Sequence, residues 1–189
     1  MTVNHNAALH TVVLGVGASV SAYKAVEVLR LLTKLGIDVW VCPTPDSLRF
    51  VGAATWESLS GHPVHVDTFD NAAAISHVEI ANRAEAFIVV AASADLIARF
   101  RLGLGDVFLT LAALTVDCPC FIAPAMHPTM WDNSATQDNV SILRERGWHF
   151  IGPVSGRLAD DTTGIGRLSE PEIIVSTVQS ALDWQPQGA

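Results

Sequence analysis

Positive charge is scarce in this chain. Eleven lysines and arginines face nineteen aspartates and glutamates, giving a formal net charge of −8. That balance, with no basic cluster anywhere, argues against nucleic acid or an anionic membrane surface as partner. Cysteine is scarce too. Cys42, Cys118 and Cys120 are odd in number and lack a framework, which fits a reducing, cytoplasmic setting. Cys118-Pro119-Cys120 is too closely spaced for the Cys-x-x-Cys pattern of zinc or redox sites, and no metal is expected. No apolar run reaches membrane-spanning length, and nothing at the N-terminus resembles a signal peptide. There is no internal repeat, linker or low-complexity segment.

What the chain does have is apolar surface. Half of its 189 residues are hydrophobic and 16% are charged, rich for a soluble monomer, so part of the surface is expected to be buried in an oligomer. The length suits one domain over residues 1–189 with a substantial core, with loose ends at about 1–9 and 185–189.

The pattern alternates strand and helix. Thr11 to Gly15 reads as a strand. Ala22 to Leu35 carries Ala25, Val26, Leu29 and Leu32 at helical spacing, and Gly36 stops it. Ile37 to Cys42 is a second strand, ended by Pro43-Thr44-Pro45. Phe87 to Ala92 is apolar without alternation, as in a buried parallel strand. Cys120 to Ala123 and His149 to Gly152 complete the set. Ser76 with Glu79, Ser134 with Gln137, and Ser169 with Glu172 read as capping boxes, with Gly147 closing the second helix and Pro171 inside the last. The alternation predicts an α/β fold with a doubly wound parallel sheet.

In such sheets ligands bind at the C-terminal strand ends, and several polar segments fall there. Gly15-Val16-Gly17-Ala18-Ser19-Val20-Ser21 joins the first strand to the first helix. It is either a plain structural turn or a phosphate site in which Gly17, Ala18 and Ser19 offer close backbone approach and a hydroxyl. The full dinucleotide fingerprint and a Walker lysine are both missing, so a mononucleotide is favoured over NAD or ATP. Thr44 and Ser47 follow the second strand. Ser93, Ala94 and Asp95 follow the third, where Ser93 and Asp95 also suit a helix cap. His77 falls at a first helical position, open to a catalytic role or to a plain surface one. Pro124-Ala125-Met126-His127-Pro128-Thr129-Met130-Trp131 ends the strand that starts at Cys120. Ser155 to Pro171 is polar and punctuated by glycine, either a lid or an ordinary solvated connection.

These segments resemble the homo-oligomeric flavin-containing cysteine decarboxylases from about Thr11 to Val178. Pro-Ala-Met-His-Pro-Thr-Met-Trp is similar to that family's Pro-x-Met-Asn-x-x-Met-Trp, with His127 in place of the asparagine. Ser21-Ala22-Tyr23-Lys24, His77-Val78-Glu79-Ile80, Ser93-Ala94 and Gly164-Ile165-Gly166-Arg167-Leu168-Ser169-Glu170-Pro171 also match. The resemblance implies a Rossmann- or flavodoxin-like three-layer flavoprotein that holds FMN. Its cofactor contacts would be Gly17, Ala18, Ser19, Thr44, Ser47, Ser93, Ala94, Asp95, Ala125 and Met126. His77 would be catalytic, with substrate held by His127, Met130 and Asp160. The assembly would be a homotrimer or a dodecamer built from trimers. Asp95 and Leu96 depart from the family's Asn-Thr at the flavin ring. Flavin prenyltransferases share the fold, but the Met126 to Trp131 segment argues against them.

Two branches remain open, with a non-catalytic flavin-binding subunit as a third reading. Decarboxylases of phosphopantothenoylcysteine carry Ala-Cys-Gly-Asp in the clamp loop, where this chain has Ala159-Asp160-Asp161-Thr162. The missing cysteine, the acidic pair and the lack of a fused synthetase domain favour the other branch. There the expected reaction is oxidative decarboxylation of the C-terminal cysteine of a ribosomal precursor peptide, with that peptide as partner.

Overall fold

The computed structural model describes residues 10–67, 77–157 and 163–184. The expected loose ends, Ser76, Asp160 and Asp161 lie outside the described residues. Strand β1 (Thr11–Val16) leads through a 3-10 turn at Val20–Tyr23 into α1 (Lys24–Lys34). Then come β2 (Asp38–Pro43), a 3-10 turn at Pro45–Arg49, α2 (Ala53–Ser60), α3 (His77–Arg83) and β3 (Ala86–Ala92). They are followed by α4 (Ala94–Leu102), α5 (Phe108–Thr115), β4 (Cys120–Pro124), α6 (Pro128–Trp131) and α7 (Ser134–Glu145). The chain closes with β5 (His149–Phe150), β6 (Val154–Arg157), β7 (Thr163–Arg167) and α8 (Pro171–Ala181).

Five parallel strands run in the order β2-β1-β3-β4-β5, the doubly wound arrangement expected from the alternation. Side chains of successive strand residues point to opposite faces. Val12, Leu14 and Val16 therefore join Leu29, Leu32, Trp56 and Val178 in one core. Val13 joins Ile97, Leu109, Ile122 and Leu143 in the other. Strand β3, the middle of the sheet, is buried at every residue, which explains its unbroken apolar run. Gly36 and Gly147 take positive φ, 78° and 88°, and end their helices as expected. Among the described residues no helix is long and apolar enough to cross a membrane.

Two predicted caps are displaced. Helix α7 is capped by Asn133, whose side chain accepts from the Ala135 amide at 3.0 Å, while Gln137 Nε2 donates to the Trp131 carbonyl at 2.6 Å. Helix α8 starts after Glu170 with Pro171 at its first position. Ser169 is buried and its hydroxyl donates to the Ile151 carbonyl at 3.2 Å. A tertiary partner claims Ser169, while Gln137 reaches past the N-cap to the end of α6. The segment after Ser155 also holds more order than expected, because β6 and β7 pair as an antiparallel ribbon.

Candidate functional site

Strand order reverses at β1, so the crevice of this sheet lies between the C-terminal ends of β1 and β3. The chain passes that point at closest approach. The Gly17 amide donates to the Val90 carbonyl at 2.9 Å, and a Cβ on Gly17 would stand 2.3 Å from the Ala91 carbonyl oxygen. Only glycine fits there. Ala91 itself has φ of 59° and lies where the β3–β4 register shifts, between Val90 and Ala92. A non-glycine residue held left-handed stores about 1–3 kcal/mol of strain, and such strain gathers at functional sites.

A cleft of about 240 Å³ opens at this place, walled by Ala18, Thr44, Ser93, Asp95, Arg99 and Asp106 among others. Three separate strand ends thus meet, and four of the residues expected at a cofactor site share one cavity. The Thr44 hydroxyl oxygen is buried and has no hydrogen-bond partner among the described residues, an arrangement that a bound acceptor would relieve. Ser19 caps the 3-10 turn, its Oγ accepting from the Ser21 amide at 3.2 Å and lying 2.9 Å from Ser21 Oγ. Ser47 is fully buried and donates to the Thr44 carbonyl at 2.7 Å, so it shapes the turn that presents Thr44. Ser93 faces the cleft and also caps α4, accepting from the Leu96 amide at 3.2 Å. Ala94 follows it as the first residue of α4.

The charged wall of the cleft was not singled out in the sequence. Arg99 Nε donates to Asp95 at 2.7 Å, and its Nη1 pairs with Asp106. Asp95 and Asp106 together hold the guanidinium pKa above its ordinary value. Arg99 in turn keeps the Asp106 carboxyl below its own. The i,i+4 spacing of Asp95 and Arg99 is the local signal of this pair.

The remaining expected residues lie beside the cleft rather than on its wall. His77 opens α3, with its ring edge-on to Phe108 at 6.4 Å between centroids. Phe108 follows Val107, which lines the cleft. Ala125 is buried against β3, its amide donating to the Ala92 carbonyl at 3.0 Å. The Met126 amide donates to the Gly166 carbonyl at 3.0 Å, so the β6–β7 ribbon is laid onto the segment after β4. That contact explains both glycines of β7. A Cβ on Gly164 would meet Pro128 Cγ at 2.5 Å, and one on Gly166 would meet the Met126 carbonyl oxygen at 2.1 Å. Lys24 anchors the ribbon's exit through Glu170 at 2.9 Å, and Arg167 pairs with the same carboxylate. Lys24, with Arg167 adding to it, holds that carboxyl below its ordinary pKa.

His127 and Met130 are exposed on and before α6. His127 Nδ1 accepts from the Thr129 amide at 3.2 Å and lies 2.7 Å from its hydroxyl. An amide donor at Nδ1 places the ring proton on Nε2.

Burial keeps the three thiols protonated, which disfavours their acting as nucleophiles. Burial pushes Cys118 up to about 11, Cys120 up to about 12 and Cys42 higher still.

Comparison with known proteins identifies this architecture. The flavoprotein family model matches residues 1–183. The coenzyme A biosynthesis bifunctional protein CoaBC of Mycolicibacterium smegmatis is 46% identical over 172 residues, covering 91% of this chain and 42% of that protein. A cysteine-to-serine mutant of PPC decarboxylase complexed with pantothenoylaminoethenethiol has a TM-score of 0.82 and 28% identity, over 92% of this chain and 98% of that one. The FMN-dependent cysteine decarboxylase SpaF has a TM-score of 0.79 and 28% identity, over 93% and 97%. The chain belongs to the flavoprotein family, among the homo-oligomeric flavin-containing cysteine decarboxylases. It spans less than half the length of the CoaBC relatives it matches.

The comparisons overturn one expectation. The ribosomal precursor peptide, as substrate and as partner, is not supported, because the relatives at 39–46% identity are coenzyme A biosynthesis proteins. The peptide reading leaned on the missing cysteine, the acidic pair Asp160 and Asp161 and the expected lack of a fused synthetase domain, signals outweighed by identity along nearly the whole chain.

Proposed function

We propose that this chain is a single-domain, cytoplasmic enzyme that uses FMN to decarboxylate 4′-phosphopantothenoylcysteine. The observation that carries the proposal is the 46% identity to a coenzyme A biosynthesis protein over 91% of the chain. The cleft supports it with a buried, partnerless Thr44 hydroxyl at the crevice of the sheet. In this reading Thr44, Ser19 and the backbone of Gly17 and Ala18 hold the flavin phosphate, and Ser47 fixes the turn beneath. Ser93, Ala94, Asp95, Ala125 and Met126 hold the ring. Bound flavin supplies an acceptor for two electrons from the cysteine thiol, and this opens the way to loss of the neighbouring carboxylate.

The chain's own groups do the rest. His77 stands at a helix start beside the cleft wall and takes the proton released as the thiol is oxidised. His127, with its proton on Nε2, donates to the substrate carboxylate, and Met130 packs beside it. Gly164 and Gly166 let the ribbon close on the same segment, with Asp160 on the clamp loop that joins β6 to β7. Incubating the FMN-loaded protein with phosphopantothenoylcysteine tests this directly. Because the two electrons lent to the flavin would be returned to the product with a proton, mass spectrometry is expected to find a product about 44 mass units lighter, from loss of CO₂ alone. An unchanged substrate mass would refute the proposal.

A further inference from the structure

Arg99 belongs to no segment matched above, yet it lies on the cleft wall between two carboxylates. Its neighbours define what it can bind. A guanidinium has five N–H donors. One at Nε goes to Asp95 and one at Nη1 to Asp106, while Nη2 makes no hydrogen bond with the described residues. Asp106 has a second partner. Asp95 sits one turn before Arg99 on α4, and Asp106 also accepts from the Thr110 hydroxyl at 3.3 Å. The guanidinium is thus held in place before any ligand arrives.

Charge decides the kind of ligand. Asp95 and Asp106 flank Arg99 on this wall, so it carries one net negative charge and is a poor seat for a phosphate; the buried Thr44 hydroxyl is the better one even with Asp46 nearby. What an oriented, already neutralised guanidinium with spare donors can hold is a neutral, planar group bearing carbonyl oxygens. Resting on the flavin reading given above, we propose that Arg99 is the donor to the carbonyl-bearing edge of the flavin ring and sets its reduction potential. A flavin that takes two electrons and one proton carries an extra negative charge on that side. A cation held there favours the reduced form, and Asp95 and Asp106 temper the effect while positioning the group.

The test is a comparison of wild type, R99Q, R99K and D106N by flavin titration and spectroelectrochemistry. The wild type is expected to bind FMN. R99Q is expected to lose at least tenfold more affinity for reduced FMN than for oxidised FMN. A tenfold change is about 30 mV in a two-electron couple. D106N, which removes a negative charge, should move the potential the opposite way. If R99Q fails to fold, R99K against D106N carries the comparison, because R99K keeps the cation and cannot bridge both carboxylates. Its potential should lie below that of D106N. Unchanged potentials in a flavin-binding protein, or shifts of one sign in R99Q and D106N, would overturn the assignment alone. A wild type that binds no flavin would overturn it together with the reading it rests on.

Discussion

At the scale of single residues, the site is a set of side chains whose local partners decide their chemistry. Ser47 is turned inward to hold Thr44, and Thr44 is left with a buried hydroxyl that lacks a partner. Ala91 tolerates a left-handed backbone because the Gly17 amide and the buried sheet hold it there. His77 is defined by position more than by partners, at the first turn of α3 and edge-on to Phe108. His77→Asn keeps a polar group at that helix start and removes the base. The variant is expected to hold FMN normally and to lose decarboxylation by far more than tenfold, that is by more than about 1.4 kcal/mol in barrier. Flavin absorbance and steady-state turnover, measured on the same sample, decide it. Activity within tenfold of wild type would remove His77 from the mechanism.

At the scale of elements, the β6–β7 ribbon bears on the segment between β4 and α6. The contact works only because β7 lacks side chains at two alternate positions. Gly166→Ala sets a methyl group 2.1 Å from the Met126 carbonyl oxygen. Backbone on both sides must then give way, at an expected cost of about 1–3 kcal/mol. Ile165→Ala, on the opposite face of the strand and 49% exposed, should cost no more than about 0.5 kcal/mol. Urea unfolding of both variants measures the difference, and equal midpoints would show that the ribbon does not depend on this contact. The same elements mark how far sequence reading reached. The strands were legible because burial on both faces leaves unbroken apolar runs, as at Phe87 to Ala92. The helix stops at Gly36 and Gly147 were legible because only glycine enters that conformation cheaply. The caps of α7 and α8 came out one residue off, since Gln137 bonds the Trp131 carbonyl just before the cap and Ser169 answers to Ile151, far from the helix start. The ribbon itself was missed. Its strands are short and polar, and their pairing is set by contact with Met126 and Pro128. At the site, each strand-end segment was legible alone. The wall formed by Arg99 and Asp106 was not, because seven residues and a helix end separate them.

At the scale of the whole molecule, the apolar surplus of the composition has a place to go. Val20 and Tyr23 are 62% and 61% exposed, and Phe50 is 51% exposed. They ride on the two 3-10 turns that leave the C-terminal ends of β1 and β2, the same turns that carry Ala18 and Thr44 to the cleft. Large apolar side chains left in water are costly, at roughly 25 cal/mol for each Å² exposed. A surface of that kind marks an association site. The net charge of −8 works against non-specific clumping, so association should be closed and specific. The expected outcome is a homotrimer, three chains of 20.2 kDa, or a multiple of it, with the rim of the cleft at the subunit boundary. Light scattering of the purified protein measures this. Tyr23→Glu, which puts charge on the rim and leaves both cores intact, should shift the mass toward the monomer and weaken FMN binding in parallel. A wild-type chain that runs as a monomer with full activity would show that the exposed rim serves another purpose.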